Sequence, residues 1–292
     1  MSEKKITIQN IQQAKKDNKK IIMVTAYDYP FGLMADQAGV DIVLVGDSLG
    51  MVVMGLDGTV GVTMDNMIHH IKAVVRGCKK AMIVGDMPFM SYNTSIREAI
   101  INAGRLMKEG GCDVVKLEGG IDFAPTVEAI VKAGIPVQGH VGLTPQTASA
   151  LGGFKIQGKN TQAAKRIIDD AKALEHAGAF SIIVEAVPAP LGEIIAQTVR
   201  IPVIGIGAGS QVDGQVLVTH DMVGLFDKFV PRFVKQYAQI RPIIIDALKA
   251  FKEEVSTQSF PASEHSFSMP DNTLEELKKS KRFSSLIKTE DK

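Results

Sequence analysis

The sequence predicts a closed (βα)8 barrel, and two observations carry that prediction. From about residue 20 to 224, short apolar runs alternate with longer amphipathic segments. The runs are rich in Val and Ile and lack the period-two alternation of a half-solvated strand. They therefore read as strands buried on both faces, the signature of parallel sheet. Eight such runs with helices between them suit a closed barrel better than the alternative, an open doubly wound sheet. The dinucleotide fingerprint is also missing near the first strand, where Thr25-Ala26-Tyr27-Asp28 stands instead.

The strands are expected at 21–26, 42–46, 81–85, 114–117, 136–139, 181–184 and 202–206, with the eighth and least patterned at 222–225. Helical spacing appears at 65–77, 95–110, 123–133 and 161–178. Gln37-Ala38-Gly39, Glu109-Gly110-Gly111, Lys132-Ala133-Gly134 and His176-Ala177-Gly178 each precede the next strand. Glycine just past a helix accepts the left-handed backbone that closes it. Gly205-Ile206-Gly207-Ala208-Gly209 lacks the spacing of a phosphate loop and reads as a strand end approached closely by a ligand or a packed helix. After Pro231, residues 234–254 repeat apolar side chains on successive turns (Tyr237, Ile240, Ile244, Ala247, Leu248, Phe251), as an outer helix after the eighth strand would. One catalytic barrel domain is expected over 1–267, terminal helices included, followed by a mobile tail over 268–292 with a short helix around 273–279.

The 292 residues are 45% hydrophobic, enough for one large core. With 33 Lys+Arg against 32 Asp+Glu, charge gives no reason to expect nucleic acid or an anionic membrane as partner. Cys78 and Cys112 form no CxxC pair and read as reduced thiols. A polar start without a signal-peptide core, and no apolar stretch near the roughly 20 residues of a bilayer span, make a soluble cytoplasmic protein the expectation.

The residues that end each run carry the chemistry. The second run ends in Gly46-Asp47-Ser48, the third in Gly85-Asp86-Met87, the fourth in Lys116-Leu117-Glu118, the fifth in Gly139-His140 and the sixth in Val184-Glu185. In a parallel barrel these ends converge on the ligand-binding face. Crowded carboxylates need a cation, and oxygen donors without His or Cys pairs favour a hard ion such as Mg2+. Each residue also has a plainer reading. A single Asp can be an N-cap; Lys116 and Glu118, two apart on one face, can be a buried ion pair; His140 can be a hydrogen-bonded structural histidine. Met51, Met54, Met64, Met67, Met87 and Met90 read as packing.

Thr25-Ala26-Tyr27-Asp28, Val45-Gly46-Asp47-Ser48-Leu49-Gly50, Gly85-Asp86-Met87-Pro88-Phe89-Met90, Val115-Lys116-Leu117-Glu118-Gly119-Gly120, the segment from Gly139-His140 to Pro145-Gln146, and Pro202-Val203-Ile204-Gly205-Ile206-Gly207-Ala208-Gly209 resemble the 3-methyl-2-oxobutanoate hydroxymethyltransferase (ketopantoate hydroxymethyltransferase) family. The six motifs are colinear, and the resemblance runs from about Ile6 to Glu264-His265-Ser266-Phe267; the tail from Ser268 departs from the family's compact form. The resemblance implies a barrel of the phosphoenolpyruvate/pyruvate type that transfers a hydroxymethyl group from 5,10-methylenetetrahydrofolate to 3-methyl-2-oxobutanoate, giving 2-dehydropantoate for pantothenate synthesis. It implies Asp47, Asp86 and Glu118 around Mg2+, with Asp47, Ser48, Asp86 and Lys116 at the substrate, Glu185 as catalytic base, and a homo-oligomer, commonly a decamer. His140 is a further possible site residue, and the Gly- and Met-rich loops after the first three strands are the expected folate face and lid. Two alternatives remain open: a related Mg-dependent barrel lyase working by retro-aldol cleavage, for which Cys78 and Cys112 are badly placed, and a non-catalytic 2-oxo-acid-binding barrel, which needs neither Lys116 nor Glu185.

Overall fold

A computed structural model describes residues 4–150 and 152–280; the part of the expected tail over 281–292 lies outside them. The chain divides into two compact units, Met1–Ala238 and Gln239–Lys292.

The first unit is a closed, all-parallel barrel of β1 (Ile21–Thr25), β2 (Ile42–Val45), β3 (Met82–Asp86), β4 (Val114–Lys116), β5 (Val137–Gly142), β6 (Ser181–Glu185), β7 (Val203–Ile206) and β8 (Gly214–Leu217) in sequence order, with β8 pairing back onto β1. Its helices are α1 (Ile8–Lys16), α2 (Tyr29–Gln37), α3 (Leu49–Val52), α4 (Met64–Gly77), α5 (Ile96–Arg105), α6 (Ala124–Lys132), α7 (Thr161–His176), α8 (Ala189–Thr198) and α9 (Thr219–Met222). Side chains of alternate strand residues split between two cores. Met23, Ile42, Leu44, Met82, Val84, Val114, Ile183, Ile204 and Val216 fill the barrel interior. Val43, Val45, Ile83, Val115, Ile182 and Val184 pack outward among helix residues such as Ile71, Val74 and Leu174. Period-two side-chain direction on strands buried on both faces produces this pattern.

The amino end of the barrel is closed by α1. Thr7 and Asn10 cap it reciprocally, Ile11 joins the interior core, and the Lys15 ammonium donates to the carbonyls of Ala196, Val199 and Ile201 at 2.8–3.0 Å.

The eighth strand differs from expectation. It is Gly214–Leu217, and 222–225 instead covers the end of α9 and the turn after it. No helix separates β7 from β8, and Gly-Gln-Val-Leu offers little apolar signal, so the pattern that announced the other strands is missing there. The glycine-rich end of β7 does meet a packed helix: a Cβ on Gly209 would stand 2.5 Å from that of Ala189, the first residue of α8.

The second unit contains α10 (Ile240–Ser256) and α11 (Asp271–Lys279). Residues 234–239 of the expected long helix are not helical, and no residue of α10 is buried. Among the described residues no helix is long and apolar enough to cross a membrane.

Candidate active site at the carboxyl end of the barrel

Strand parity selects the side chains that enter the barrel. Because Met82 and Val84 point inward on β3, so does Asp86; because Val114 points inward on β4, so do Lys116 and Glu118. His140 on β5 and Glu185 on β6 follow the same rule, the latter in line with Ile183. Asp47 and Ser48 come from the turn between β2 and α3. All seven line one cavity of about 850 Å³. The expected site residues are therefore brought together.

Asp86 and Lys116 are register partners on neighbouring strands. The Lys116 ammonium donates to both Asp86 carboxylate oxygens at 2.8 and 2.9 Å and stands 3.6 Å from Glu118 Oε1. Lys116 is thus a buried ion-pair member, 3% exposed, and it also borders the cavity. The Asp47 amide donates to Asp86 Oδ2 at 3.2 Å, and the Ser48 hydroxyl is 2.8 Å from that of Tyr27. The Asp47 carboxylate makes no helix cap, since α3 begins without a side-chain cap. His140 stands between two acids, Nδ1 3.5 Å from Glu118 Oε1 and Nε2 3.3 Å from Glu185 Oε2.

Burial pushes the carboxyls of Asp47 and Asp86 above the usual range, and repulsion within the acidic group adds to it while Lys116 acts against it. Glu118 is also buried, but Lys116 and His140 beside it hold it below its usual value. Burial would lower Lys116, yet Asp86, Glu118 and Asp47 raise it. Burial and Lys116 both disfavour protonated His140, but Glu118 and Glu185 prevail and raise it to about 9.

Two buried residues to which the sequence assigns no role complete the site. Gln146, in the loop after β5, donates from Nε2 to Asp47 Oδ2 and to the Met87 carbonyl, both at 2.9 Å, and from its amide to Glu118 Oε2 at 3.0 Å. The Tyr92 hydroxyl donates to Gln146 Oε1 at 2.7 Å and accepts from the Glu118 amide at 3.3 Å. Gln146 ends one of the six family motifs; Tyr92 has no local signal. Gly142 turns the chain into this loop at φ +94°, where a Cβ would lie 2.3 Å from the Glu185 carbonyl oxygen. Ala186, directly after Glu185, holds φ +48° without being glycine, a strained conformation of the kind found at functional sites.

Among the described residues, no three His, Cys, Asp or Glu side chains are already spaced as a metal cage; Lys116 and Gln146 engage the carboxylate oxygens instead. The donor chemistry nevertheless fits a hard divalent cation. Four carboxyl groups, from Asp47, Asp86, Glu118 and Glu185, converge on a cavity where only Lys116 and His140 supply positive charge, and Asp47, Asp86 and Glu118 are 4% exposed or less. The two cysteines lie elsewhere. Cys78 and Cys112 are buried, and burial pushes each thiol up to about 12, so neither is a reactive thiolate. The methionines are mixed: Met67 and Met87 are core, whereas Met54 and Met90 are 40% and 50% exposed.

A family model described as ketopantoate hydroxymethyltransferase matches residues 5–263. The chain is 57% identical over 268 residues to the 3-methyl-2-oxobutanoate hydroxymethyltransferase of Heliobacterium modesticaldum, covering 92% of this chain and 97% of that protein. It is 56% identical over 263 residues to the protein of that name from Moorella thermoacetica, covering 90% and 98%. Among solved structures, phosphonopyruvate hydrolase aligns with a TM-score of 0.60 at 12% identity, covering 98% of this chain and 100% of that one. The 2,3-dimethylmalate lyase of the PEP mutase/isocitrate lyase superfamily aligns with a TM-score of 0.56 at 12% identity, covering 96% and 97%. At such identities the two structures speak for the shared barrel fold alone.

Proposed function

Because the chain belongs to the ketopantoate hydroxymethyltransferase family, we propose that it transfers a hydroxymethyl group from 5,10-methylenetetrahydrofolate to 3-methyl-2-oxobutanoate, giving 2-dehydropantoate in pantothenate synthesis. The observation that carries this reading is the convergence of Asp47, Asp86, Glu118 and Lys116 on one cavity that Glu185 also lines. Asp47, Asp86 and Glu118 are the residues that would hold Mg2+, which when bound supplies Lewis acidity toward the oxygens of a 2-oxo acid and so makes the C3 proton removable.

The chain's own groups do the rest. Lys116, kept charged by its acidic neighbours, presents a fixed cation to the substrate carboxylate or the developing enolate oxygen. Ser48, steadied by Tyr27, donates a hydrogen bond to the carboxylate. Glu185 accepts the C3 proton, and His140, close to its Oε2, keeps that carboxylate aimed into the cavity. Gln146 and Tyr92 fix Asp47 and Glu118 so that neither must reorganise on binding. The C3 carbon then bonds to the one-carbon unit of the folate, whose two C–N bonds break, while water supplies the hydroxyl oxygen and tetrahydrofolate leaves with N5 and N10 protonated. Homo-oligomeric assembly, part of the same proposal, is supported by exposed apolar side chains on α10, among them Ile243, Leu248 and Phe251 at 67%, 63% and 55%.

The test is 2-dehydropantoate formation by chelator-stripped protein. Product is expected only with both substrates and added Mg2+. Metal-independent turnover would remove the metal assignment, and cleavage of 2-hydroxy diacids in place of transfer would move the protein to the lyases.

A further inference from the structure

The cavity is much larger than a small branched 2-oxo acid requires. About 850 Å³ is near the upper end of the ~300–1,000 Å³ that suits a drug-sized, multi-ring ligand. Its carboxylates also differ in a telling way. Asp47, Asp86 and Glu118 have donors in Gln146, Lys116 or backbone amides, and Glu185 has the His140 ring as an ion-pair neighbour at 3.3 Å. Asp221 has none. It sits on α9 after β8, is 8% exposed and lines the cavity, and among the described residues its carboxylate has no hydrogen-bond or ion-pair partner. Its main chain is engaged, the carbonyl accepting from Gln236 at 3.3 Å and from the Gly224 amide at 3.2 Å, and the amide donating to the Val218 carbonyl at 3.1 Å. A carboxylate on a cavity wall that no protein donor engages is open to the donors of a ligand.

Position and surroundings narrow the ligand. In a closed barrel of eight strands β8 lies across from β4, so Asp221 and Glu118 come from opposite walls of the cavity, with Asp47 on the wall between them. The cavity that Asp221 lines also has aromatic walls. Phe233 packs flat enough on Gly207 that a Cβ there would meet its ring at 2.7 Å, and Phe229 and Phe154 border the cavity with 65% and 56% of their surface exposed. Lys155 and Arg232 stand at the same rim with no salt-bridge partner among the described residues. The matching ligand is a flat heterocycle with two adjacent N–H donors on one edge and an anionic tail, which describes a reduced pterin with its glutamyl carboxylates.

We propose that Asp221 is the specificity-determining residue for the folate co-substrate, accepting the paired N3–H and 2-amino hydrogens of the pterin ring between the Phe229 and Phe233 side chains. This rests on the folate reading above, and it moves the folate face from the loops after the first three strands to those after β5 and β8. Two parallel N–H···O contacts to one carboxylate are the geometry that guanidinium-like edges favour. Burial pushes Asp221 up to about 6, so near neutral pH it is mainly the carboxylate that such a ligand needs.

The experiment uses the full chain with Mg2+ and saturating 3-methyl-2-oxobutanoate. Calorimetry measures the affinity for tetrahydrofolate and for its 2-desamino analogue, in the wild type and in Asp221→Asn. The wild type is expected to prefer tetrahydrofolate by about tenfold or more. In the variant that preference collapses to about threefold or less, while a measurable Kd for the 2-oxo acid reports an intact fold. A variant that merely loosened the cavity would weaken both pterins and keep the preference, and that result overturns the inference. Wild-type protein that binds no tetrahydrofolate at all sinks the folate reading itself, a different and separable outcome.

Discussion

The two ends of the barrel use the same residue for opposite purposes. At the amino end, Asp41, Asp113 and Asp213 each precede a strand and accept an amide from the first two residues of a neighbouring strand, Ile22, Ile83 and Val203 respectively, all at 2.8 Å. Asp36 accepts the amides of Lys80 and Ala81 at 2.8 Å. Lysines finish the pairing, with Lys5 2.7 Å from Asp113 and Lys15 2.9 Å from Asp213. These carboxylates have the donors they need and register the strands. At the carboxyl end, Asp47 and Asp86 are buried among like charges and titrate above their usual range. Charge that is satisfied holds a fold together; charge left in excess is available to a ligand.

The largest effect that would sharpen this contrast is on catalysis. Glu185→Gln is expected to reduce turnover by about 10²–10⁴-fold with 3-methyl-2-oxobutanoate still bound, measured as product formation beside calorimetric binding. Unchanged turnover removes Glu185 as the base. Asp47→Asn should separate function from stability. Transfer is lost because a metal-holding carboxylate is gone, yet the chelator-treated protein should gain about 0.5–2 kcal/mol in denaturant unfolding because one of the crowded charges has left. A loss of stability there would mean that the acidic group is not under electrostatic stress, and the contrast between the two ends would fail.

Most of the barrel was legible because its strands are buried on both faces, which leaves unbroken Val/Ile runs, and because Gly39, Gly111, Gly134 and Gly178 close the helices before them. The eighth strand was not, since no helix precedes it and Val216 is the one apolar side chain it sends into the interior core. Asp86, Glu118 and Glu185 could be read because each is in phase with the inward residues of the apolar run before it, whereas Asp47, out of phase with Ile42 and Leu44, reaches the cavity from the turn after β2. Gln146, Tyr92 and Asp221 could not be. Asp221 lines the cavity from a short helix, and Gln146 and Tyr92 brace Asp47 and Glu118 from loop segments, where neither period two nor period 3.6 fixes the direction of a side chain. His140 was visible as a residue but not as a bridge, because its two partners come from different strands. The regular stripe of α10 announced a helix, but a stripe does not say what covers it.

The amino end supplies the smaller effects. Asp213→Ala removes the acceptor of the Val203 amide and the partner of Lys15, and should cost about 1–3 kcal/mol in denaturant unfolding while transfer activity persists well below the melting temperature. A loss of activity without loss of stability would mean that the amino end also serves the chemistry. The smallest effect is expected at Asp36. Burial raises its carboxyl, but the amides of Ala81 and Lys80 outweigh this and hold it below 3.8. With the folded value depressed, its contribution is fully present above pH 3.8 and is lost as pH falls through the folded value. Asp36→Asn keeps an acceptor without the charge, so it should cost about 1 kcal/mol near neutral pH, and the gap from wild type should close in urea titrations carried below pH 3.8. A gap that stayed constant into acid would mean that the two amides are held by shape rather than by charge, and that the amino end does not depend on satisfied carboxylates as the contrast requires.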